Sequence, residues 1–263
     1  MGYSYPMYIR GNKMDGRCIV IAMAGPSGAG KSSYAEELVK IYGEDQCLVF
    51  PQDDYYCDQT NIDEMDRADT NYDIPESIEW ELLQKDLQDL MAGKTIQKPQ
   101  YNFKVHNREV ERVATAPKRI IIVEGILVLH VKALRDMCNF RVFVNADLDL
   151  VALRRMDRDT DPNGNRKRTF AQAYKQYMTT VRPALINIVL PSQKHADTVI
   201  NNPHHDDKKI DLASLQGVRD FIDNRLREVS VASTANIRQF NRAGVTPVST
   251  ETLKTDEHIT MTI

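Results

Sequence analysis

Short apolar runs alternate with amphipathic segments along most of this chain. Each run has the unbroken apolar character that is typical of a strand buried on both faces of a parallel sheet. Parallel strands need a crossover between them, so the recurring strand, helix, strand order predicts an α/β protein with a mostly parallel central sheet. The predicted strands are residues 18–24, 46–51, 119–125, 140–144 and 198–200.

The segments between these strands predict helices with recognisable ends. The first runs from Ser33 to Tyr42 and ends at Gly43. Ser77 is predicted to cap a second helix, whose apolar residues extend to Met91 before Gly93 stops it. Further helices are predicted at residues 147–159, at about 169–190 around a break at Arg182-Pro183, and at 211–226.

The remaining segments predict the peripheral parts of the molecule. Residues 57–76 are rich in Asp and Asn without periodicity, which indicates a mobile loop. An alternating pattern broken by Pro99 predicts a small hairpin at about 94–113, which we interpret as a substrate flap and call the flap. We expect an N-terminal extension at 1–16, one domain at 17–228 and a tail at 229–263, where Ser, Thr and Asn dominate.

Composition narrows the class of protein. The chain has 263 residues, of which 42% are hydrophobic and 27% charged, enough for one large globular α/β domain or two small ones. The formal net charge of -3, without a basic cluster, argues against a nucleic-acid partner. The four cysteines form no CxxC pair, which argues against zinc and disulfides. We find neither a membrane span nor a signal-peptide core, and expect a cytoplasmic protein.

A glycine-rich segment between the first predicted strand and helix has the P-loop pattern. Its glycines let backbone N–H groups converge on phosphate oxygens, Lys31 can reach the β and γ phosphates, and Ser32 can bind Mg²⁺. The alternative is a glycine-rich turn that merely joins strand to helix. The predicted ATP-binding residues are Gly25, Pro26, Ser27, Gly28, Ala29, Gly30, Lys31, Ser32, Ser33 and Arg158.

Carboxylates follow two of the predicted strands on the side where open α/β sheets bind ligands. Glu124 ends an apolar strand, where P-loop proteins often hold Mg²⁺; the alternative is a carboxylate that faces solvent. Asp53 and Asp54 follow another strand, and phosphoryl transfer to an alcohol needs a carboxylate near the attacking hydroxyl. Adjacent side chains on extended backbone point to opposite sides, so only one of the two should serve as this base, unless the pair belongs only to a polar turn.

Arginines and aromatic residues supply two further candidate sets. Arg154, Arg155, Arg158, Arg166 and Arg168 can close as a lid, at about 154–170, over a triphosphate. The alternative for them is a solvated helix face paired with Asp157 and Asp159. The flap residues Tyr101, Phe103 and His106 suit the edge of a planar base, although cross-strand packing would explain them equally well.

The order of these motifs adds more than any single one. They are Gly25 to Ser32, Gln52 to Tyr56, Asn71 to Pro75, Pro99 to Arg108, Glu124 to Leu127, Arg154 to Asp159, and Gln176-Tyr177 ahead of Val181-Arg182-Pro183. From about residue 17 to about 201, the chain resembles the uridine-cytidine kinases of the phosphoribulokinase and uridine kinase group. It departs from their pattern at Ile74, Asn102 and residues 162–166, so the preferred nucleoside stays open.

The resemblance implies a three-layer P-loop NTPase fold and ATP-dependent phosphorylation of the ribose 5′-hydroxyl of uridine or cytidine, a step of pyrimidine salvage. It implies that Asp53 is the catalytic acid-base residue, assisted by Lys31, and that Ser32, Glu124 and Asp53 lie at Mg²⁺. It implies a homo-oligomer, commonly a tetramer, with ATP and a nucleoside as the small-molecule partners. The implied substrate-binding residues are Tyr56, Asp73, Tyr101, Phe103, His106, Arg155, Arg166 and Gln176.

Two alternatives remain at this point. A P-loop kinase for another nucleoside, ribosyl or sugar acceptor would share the P-loop, Glu124 and the lid while its flap contacts differed. A nucleotide-binding regulatory module that has lost phosphoryl transfer would need no base beside an acceptor, so Asp53 argues against it.

Overall fold

The computed structural model describes residues 18–228, apart from residues 68, 69, 205, 207 and 208. The chain separates into two compact units, Met1–Arg225 and Leu226–Ile263, and the first is described below. The predicted N-terminal extension at 1–16 and the predicted tail at 229–263 lie outside the described residues.

A five-stranded parallel sheet forms the centre of the first unit. Its strands are β1 (Ile19–Ala24), β2 (Cys47–Pro51), β7 (Ile120–Glu124), β8 (Phe140–Asn145) and β9 (Thr198–Asn201), in the order β2-β7-β1-β8-β9. Every residue of β1 is buried because strands flank it on both edges and helices cover the sheet. The register pairs Met23 with Glu124 and Pro51 with Glu124, which aligns the carboxyl ends of three strands. The predicted strands and the parallel α/β class are confirmed.

Helices connect the strands as the pattern predicted, but the predicted first residue of one helix is wrong. The helices are α1 (Lys31–Tyr42), α2 (Glu64–Arg67), α3 (Trp80–Met91), α4 (Lys132–Arg135), α5 (Leu148–Thr160) and α6 (Phe170–Gln176), and residues 216–225 are also helical. Ser77 does not cap α3, whose N-cap is Glu79. Its hydroxyl instead donates to the carbonyls of Tyr72 and Ile74, in the turn before the helix. A serine hydroxyl can accept a hydrogen bond from a helix N–H as a cap or donate one to a nearby carbonyl in a turn, and here it donates within the turn.

The predicted break at Arg182-Pro183 is also wrong. From α6 the chain continues through the π-helical turns Tyr177–Val181 and Leu185–Val189, separated by Arg182–Ala184, to Leu190–Ser192. A proline ring inside an α-helix collides with the carbonyl four residues earlier and removes one hydrogen bond. The wider π turns on both sides of Pro183 accommodate this defect, so the helix continues.

The predicted hairpin forms two nested pairs of antiparallel strands. β3 (Ile96–Lys98) pairs with β6 (Val113–Thr115), and β4 (Tyr101–Asn102) pairs with β5 (Asn107–Arg108). Pro99 lies between the two pairs, as its missing N–H requires. The buried apolar cluster of the sheet includes Tyr101 and has Phe103 packed against it, so the flap rests on the core. None of the described helices is long and apolar enough to cross a membrane.

Candidate active site

The P-loop joins β1 to α1, and its backbone needs glycine. Gly25 has φ of 143°, and a Cβ there would lie 2.1 Å from the Val144 carbonyl oxygen of β8. Gly28 and Gly30 have φ of 93° and 95°, which L side chains rarely adopt. The loop therefore passes tightly over the sheet and brings the N-terminus of α1 to the carboxyl edge of the strands, where an anion binds favourably.

Two buried side chains donate hydrogen bonds to P-loop carbonyls, a role that the sequence did not predict for either of them. Arg154 Nη1 donates to the Gly28 carbonyl at 3.0 Å, and its Nη2 donates to the carbonyls of Asn202 (3.3 Å) and His204. The fully buried Asn202 Nδ2 donates to the Ala29 carbonyl at 3.0 Å. Arg154 was expected in the lid over a triphosphate, but it lies beneath the P-loop and supports it.

At the start of α1, the P-loop side chains meet the carboxylate that ends β7. Lys31 Nζ lies 3.9 Å from Glu124 Oε1 and donates to the Pro26 carbonyl at 3.0 Å. Ser32 Oγ donates to Glu124 Oε2 at 3.1 Å. Burial raises the pKa of Glu124, and the nearby Lys31 partly offsets this effect. These hydroxyl and carboxylate oxygens are the hard ligands that Mg²⁺ prefers.

Asp53 and Asp54 lie on a 3₁₀ turn, Gln52–Tyr55, directly after β2, and their side chains diverge. Asp53 faces the P-loop, and its carboxylate accepts no hydrogen bond within the described part of the chain. Burial raises the pKa of Asp53, while Arg166 and Lys31 oppose the rise. Asp54 instead pairs with Lys98 and accepts the Tyr101 N–H at 3.2 Å, which ties this turn to the flap. Only Asp53 of the pair is positioned to reach a reacting hydroxyl.

Gln52 and Gly125 fix this turn against the end of β7. Gln52 is fully buried, and its Oε1 accepts the Leu127 N–H at 2.8 Å. A Cβ on Gly125 would lie 2.4 Å from the Gln52 Cβ and 2.5 Å from its Oε1. Glycine at 125 thus permits the close approach that places Asp53 beside Glu124.

Next to Asp53, aromatic rings from the flap and the preceding loop line a small cavity of about 50 Å³. Tyr72 stacks on His106 with ring centroids 5.9 Å apart, and Tyr56 packs on Tyr101 at 4.9 Å. Burial and the nearby Arg168 lower the pKa of His106 to about 4, so this imidazole is neutral at pH 7. Asp73, which is 5% exposed, supplies a carboxylate to the same cavity.

The arginines of the lid gather on one buried carboxylate, Asp159. Arg158 and Arg166 reach its Oδ1 at 3.1 and 2.9 Å, and the Arg166 guanidinium lies 4.9 Å above the centre of the Phe103 ring. Arg155 lies 3.5 Å from Asp159 Oδ2 and donates to Gln176 Oε1 at 3.3 Å. The sequence suggested Asp159 only as the partner of a solvated helix face, yet it is 1% exposed.

The predicted site residues fall into two neighbouring cavities. The phosphate cavity, of about 100 Å³, is lined by Ser27, Gly28, Gly30, Lys31, Ser32, Ser33, Asp53, Glu124, Arg158 and Arg166, among others. The acceptor cavity is the aromatic one, lined by Tyr56, Asp73, Tyr101, Phe103, His106, Arg155 and Gln176 with Asp53, Ser27 and Arg166. Neither cavity is lined by the predicted residues Gly25, Pro26 and Ala29, which instead form the backbone of the P-loop behind the phosphate cavity. The two cavities meet at Asp53.

The protein side chains at this site do not supply all the ligands that a metal ion needs. Among residues 18–228 that the structure describes, no group of three or more His, Cys, Asp or Glu side chains could hold a metal ion. Ser32, Glu124 and Asp53 nevertheless line one cavity and offer only oxygen ligands. That set suits Mg²⁺, which usually keeps several waters and shares its coordination with substrate phosphates.

Comparisons with known proteins identify the family to which the chain is similar. The model of the "Phosphoribulokinase / Uridine kinase family" matches residues 20–208. A protein of Brevibacillus brevis named "Uridine kinase" is 38% identical over 199 residues, which are 76% of this chain and 92% of that protein. A "Uridine kinase" of Tolumonas auensis is 40% identical over 187 residues, 70% of this chain and 86% of its own length.

A solved structure supports the fold alone. The phosphoribulokinase from Rhodobacter spheroides superposes with a TM-score of 0.52 at 13% identity, covering 71% of this chain and 70% of that one. Its likeness and the parallel sheet described above identify the P-loop NTPase fold.

Proposed function

The chain belongs to the phosphoribulokinase and uridine kinase family, and from this premise we propose that it is a uridine kinase that transfers the γ-phosphoryl group of ATP to the ribose 5′-hydroxyl. The observation that carries the proposal is the junction of the phosphate and acceptor cavities at Asp53. A donor and an acceptor bound on either side of this carboxylate would have their reacting atoms close together.

In the proposed reaction, Asp53 orients the 5′-hydroxyl and accepts its proton as the oxygen attacks the γ-phosphorus. Its carboxylate accepts no hydrogen bond from the described residues and has a raised pKa, and both properties suit this role. Lys31 and Arg158 stabilise the negative charge that spreads over the transferred group. Mg²⁺, when bound through Ser32, Glu124 and Asp53, would neutralise phosphate charge.

The acceptor cavity supplies contacts for each part of a nucleoside. Asp73 can accept hydrogen bonds from the ribose hydroxyls. Arg155, whose Nη1 lies 3.9 Å from Asp73 Oδ1 and whose Nη2 donates to Gln176 Oε1, would orient that carboxylate. Tyr101 and Phe103 offer ring surfaces to a pyrimidine. Because His106 is neutral, one ring nitrogen can donate and the other can accept, which allows either uracil or cytosine at this edge. The cytidine activity, a cytoplasmic location and a homo-oligomer stay predictions.

A nucleoside panel with γ-labelled ATP tests the function. We expect label on uridine and cytidine in the presence of Mg²⁺, and label only on a non-nucleoside sugar would reject the proposal. Asp53→Asn should lower kcat by about 10²–10⁴-fold. Asp54→Asn is the matched control, because it removes the same charge from the same turn. Asp54 pairs with Lys98 and does not face the P-loop, so the kcat of this variant should fall much less. Equal losses in both variants would remove Asp53 from its proposed role.

A further inference from the structure

The carboxylate of Asp159 contacts arginines on both sides of the junction between the two cavities. Its Oδ1 binds Arg158 and Arg166, which line the phosphate cavity. Its Oδ2 lies 3.5 Å from Arg155 Nε and 3.3 Å from Arg168 Nη1, and these two arginines line the acceptor cavity. Oδ1 thus binds both arginines of the phosphate cavity, of which Arg166 also lines the acceptor cavity. Of the two cavities, the arginines near Oδ2 line only the acceptor cavity.

The arginines could not gather in this way without a central anion. Four guanidinium groups around a nearly inaccessible point repel one another, and the repulsion is strong where water is excluded. Burial and the nearby Arg166 lower the pKa of Arg158 to about 10, and Asp159 opposes that effect. Removal of the carboxylate would take the ion-pair partner from Arg158, Arg166 and Arg168, while Arg155 would keep Asp73 at 3.9 Å, so the side chains would move apart.

The backbone makes Asp159 a fixed point rather than one more mobile side chain. It lies in the last turn of α5, and its carbonyl accepts the Arg168 N–H at 2.9 Å. Both ends of the segment between residues 159 and 168 are therefore attached to the same residue. If Arg158 or Arg166 moves toward a bound triphosphate, its ion pair with Oδ1 weakens. Because the backbone holds Asp159 in place, that change alters the ion pairs that Oδ2 makes with Arg155 and Arg168.

We propose that Asp159 is a positioning residue that couples the two substrate sites: it orients the lid arginines of both cavities, so that a nucleotide in one cavity raises the affinity of the other for its nucleoside. The proposal rests on the uridine kinase function above. Thermodynamic linkage makes the coupling reciprocal, so uridine must raise the affinity for nucleotide by the same factor.

The test measures binding without turnover. The dissociation constant of uridine is determined by calorimetry with and without saturating Mg²⁺ and β,γ-methylene-ATP, and the ratio of the two values is the coupling factor. We expect a factor of about 5 or more in the wild-type chain. In Asp159→Asn the factor should fall to about 1, with uridine still bound.

Asp157→Asn is the matched control, since Asp157 is a carboxylate on the same helix that pairs with none of these four arginines. This variant should keep the wild-type coupling factor, which separates loss of the Asp159 contacts from loss of one negative charge on α5. If Asp159→Asn does not fold, Asp159→Glu retains the charge but displaces it by one methylene, and its factor should fall to less than half of the wild-type value.

Each remaining outcome has one meaning. A wild-type factor of 1, or an unchanged factor in a folded Asp159 variant, would overturn the coupling role. An equal fall in Asp157→Asn would also overturn it, because general charge loss would then explain the effect. Failure of the wild-type chain to bind uridine under either condition would count against the proposed function instead.

Discussion

Gly125→Ala tests how the turn that bears Asp53 is held against the sheet. The new Cβ would lie 2.4 Å from the Gln52 Cβ, 2.5 Å from Oε1 and 2.7 Å from Cδ, well inside van der Waals contact. The Gln52 side chain is fully buried and must move as a whole. When it moves, the Leu127 N–H loses its acceptor at 2.8 Å.

The collision and the lost hydrogen bond together determine how far the free energy of unfolding falls. Overpacking in a close-packed core costs about 1–3 kcal/mol, and an unsatisfied buried N–H costs about 1–3 kcal/mol. The free energy of unfolding should therefore fall by about 2–6 kcal/mol. A fall of about 4 kcal/mol lowers the Tm of a folded unit of this size by roughly 8–16 °C. Because Gln52 precedes Asp53, kcat should fall as well.

Urea unfolding of a double-mutant cycle provides the assay. In Gly125→Ala/Gln52→Gly the Cβ and the carboxamide atoms that collide are all gone, so the double variant should lose at least about 1 kcal/mol less than the sum of the single losses. Gly217→Ala is the control, because no atom lies within 4 Å of the position that its Cβ would occupy and it lies in a helix. That variant should be as stable as the wild type or up to about 1 kcal/mol more stable. Strict additivity of the two single losses would refute the collision.

Three further predictions concern the P-loop and pH. Asn202→Ala removes a buried donor to a P-loop carbonyl, so it should lower the free energy of unfolding by about 1–3 kcal/mol and raise the KM for ATP. Its control is Asn201→Ala, at an exposed neighbouring residue, which should lower the free energy of unfolding by less than about 0.5 kcal/mol. Uridine affinity should stay constant from pH 5 to 8, measured by calorimetry, because the pKa of about 4 keeps His106 neutral throughout. Burial raises the carboxyl pKa values of Asp53 and Glu124, so kcat/KM should fall with decreasing pH at a midpoint above the ordinary Asp value of 3.8.

Each of these has a contradicting result. Equal Tm shifts for the two asparagine variants would remove the bracing role of Asn202. A tenfold loss of uridine affinity between pH 7 and 5.5 that persists in Asp53→Asn would mean that His106 titrates in its usual range. A pH profile of kcat/KM that stays flat down to pH 4 would show that neither Asp53 nor Glu124 needs to lose a proton in that range.

The sequence predicted best what depends on neighbouring residues. Buried strands require continuous apolar runs, so β1 and β7 could be read directly. The P-loop is equally local, because its glycines and Lys31 lie in one turn. The divergence of Asp53 and Asp54 was predicted from extended backbone, and the structure produces it from a 3₁₀ turn.

The rest depends on residues that are distant along the chain. Arg154 supports Gly28 and Asn202 supports Ala29, although both lie far from the P-loop along the chain, and nothing near Arg154 in the sequence indicates its role. One available signal was missed: Asn202 directly follows the last strand at its carboxyl end, the edge where the P-loop lies. For Asp159, charge on a helix face looks the same whether it is solvated or buried, so only the tertiary structure identifies it as the centre of four ion pairs.

The contact between Arg166 and Phe103 spans from the lid to the flap and covers an acceptor cavity of about 50 Å³, which has room for only a few water molecules. A pyrimidine nucleoside is far larger than this space, so this cover has to lift for each uridine that enters and again for each nucleotide product that leaves. The frequency of that lifting is a ceiling on the number of catalytic cycles per second, whatever the speed of the chemistry. When turnover runs at that ceiling, solvent viscosity slows it, whereas replacement of the attacking nucleoside by a less reactive one does not.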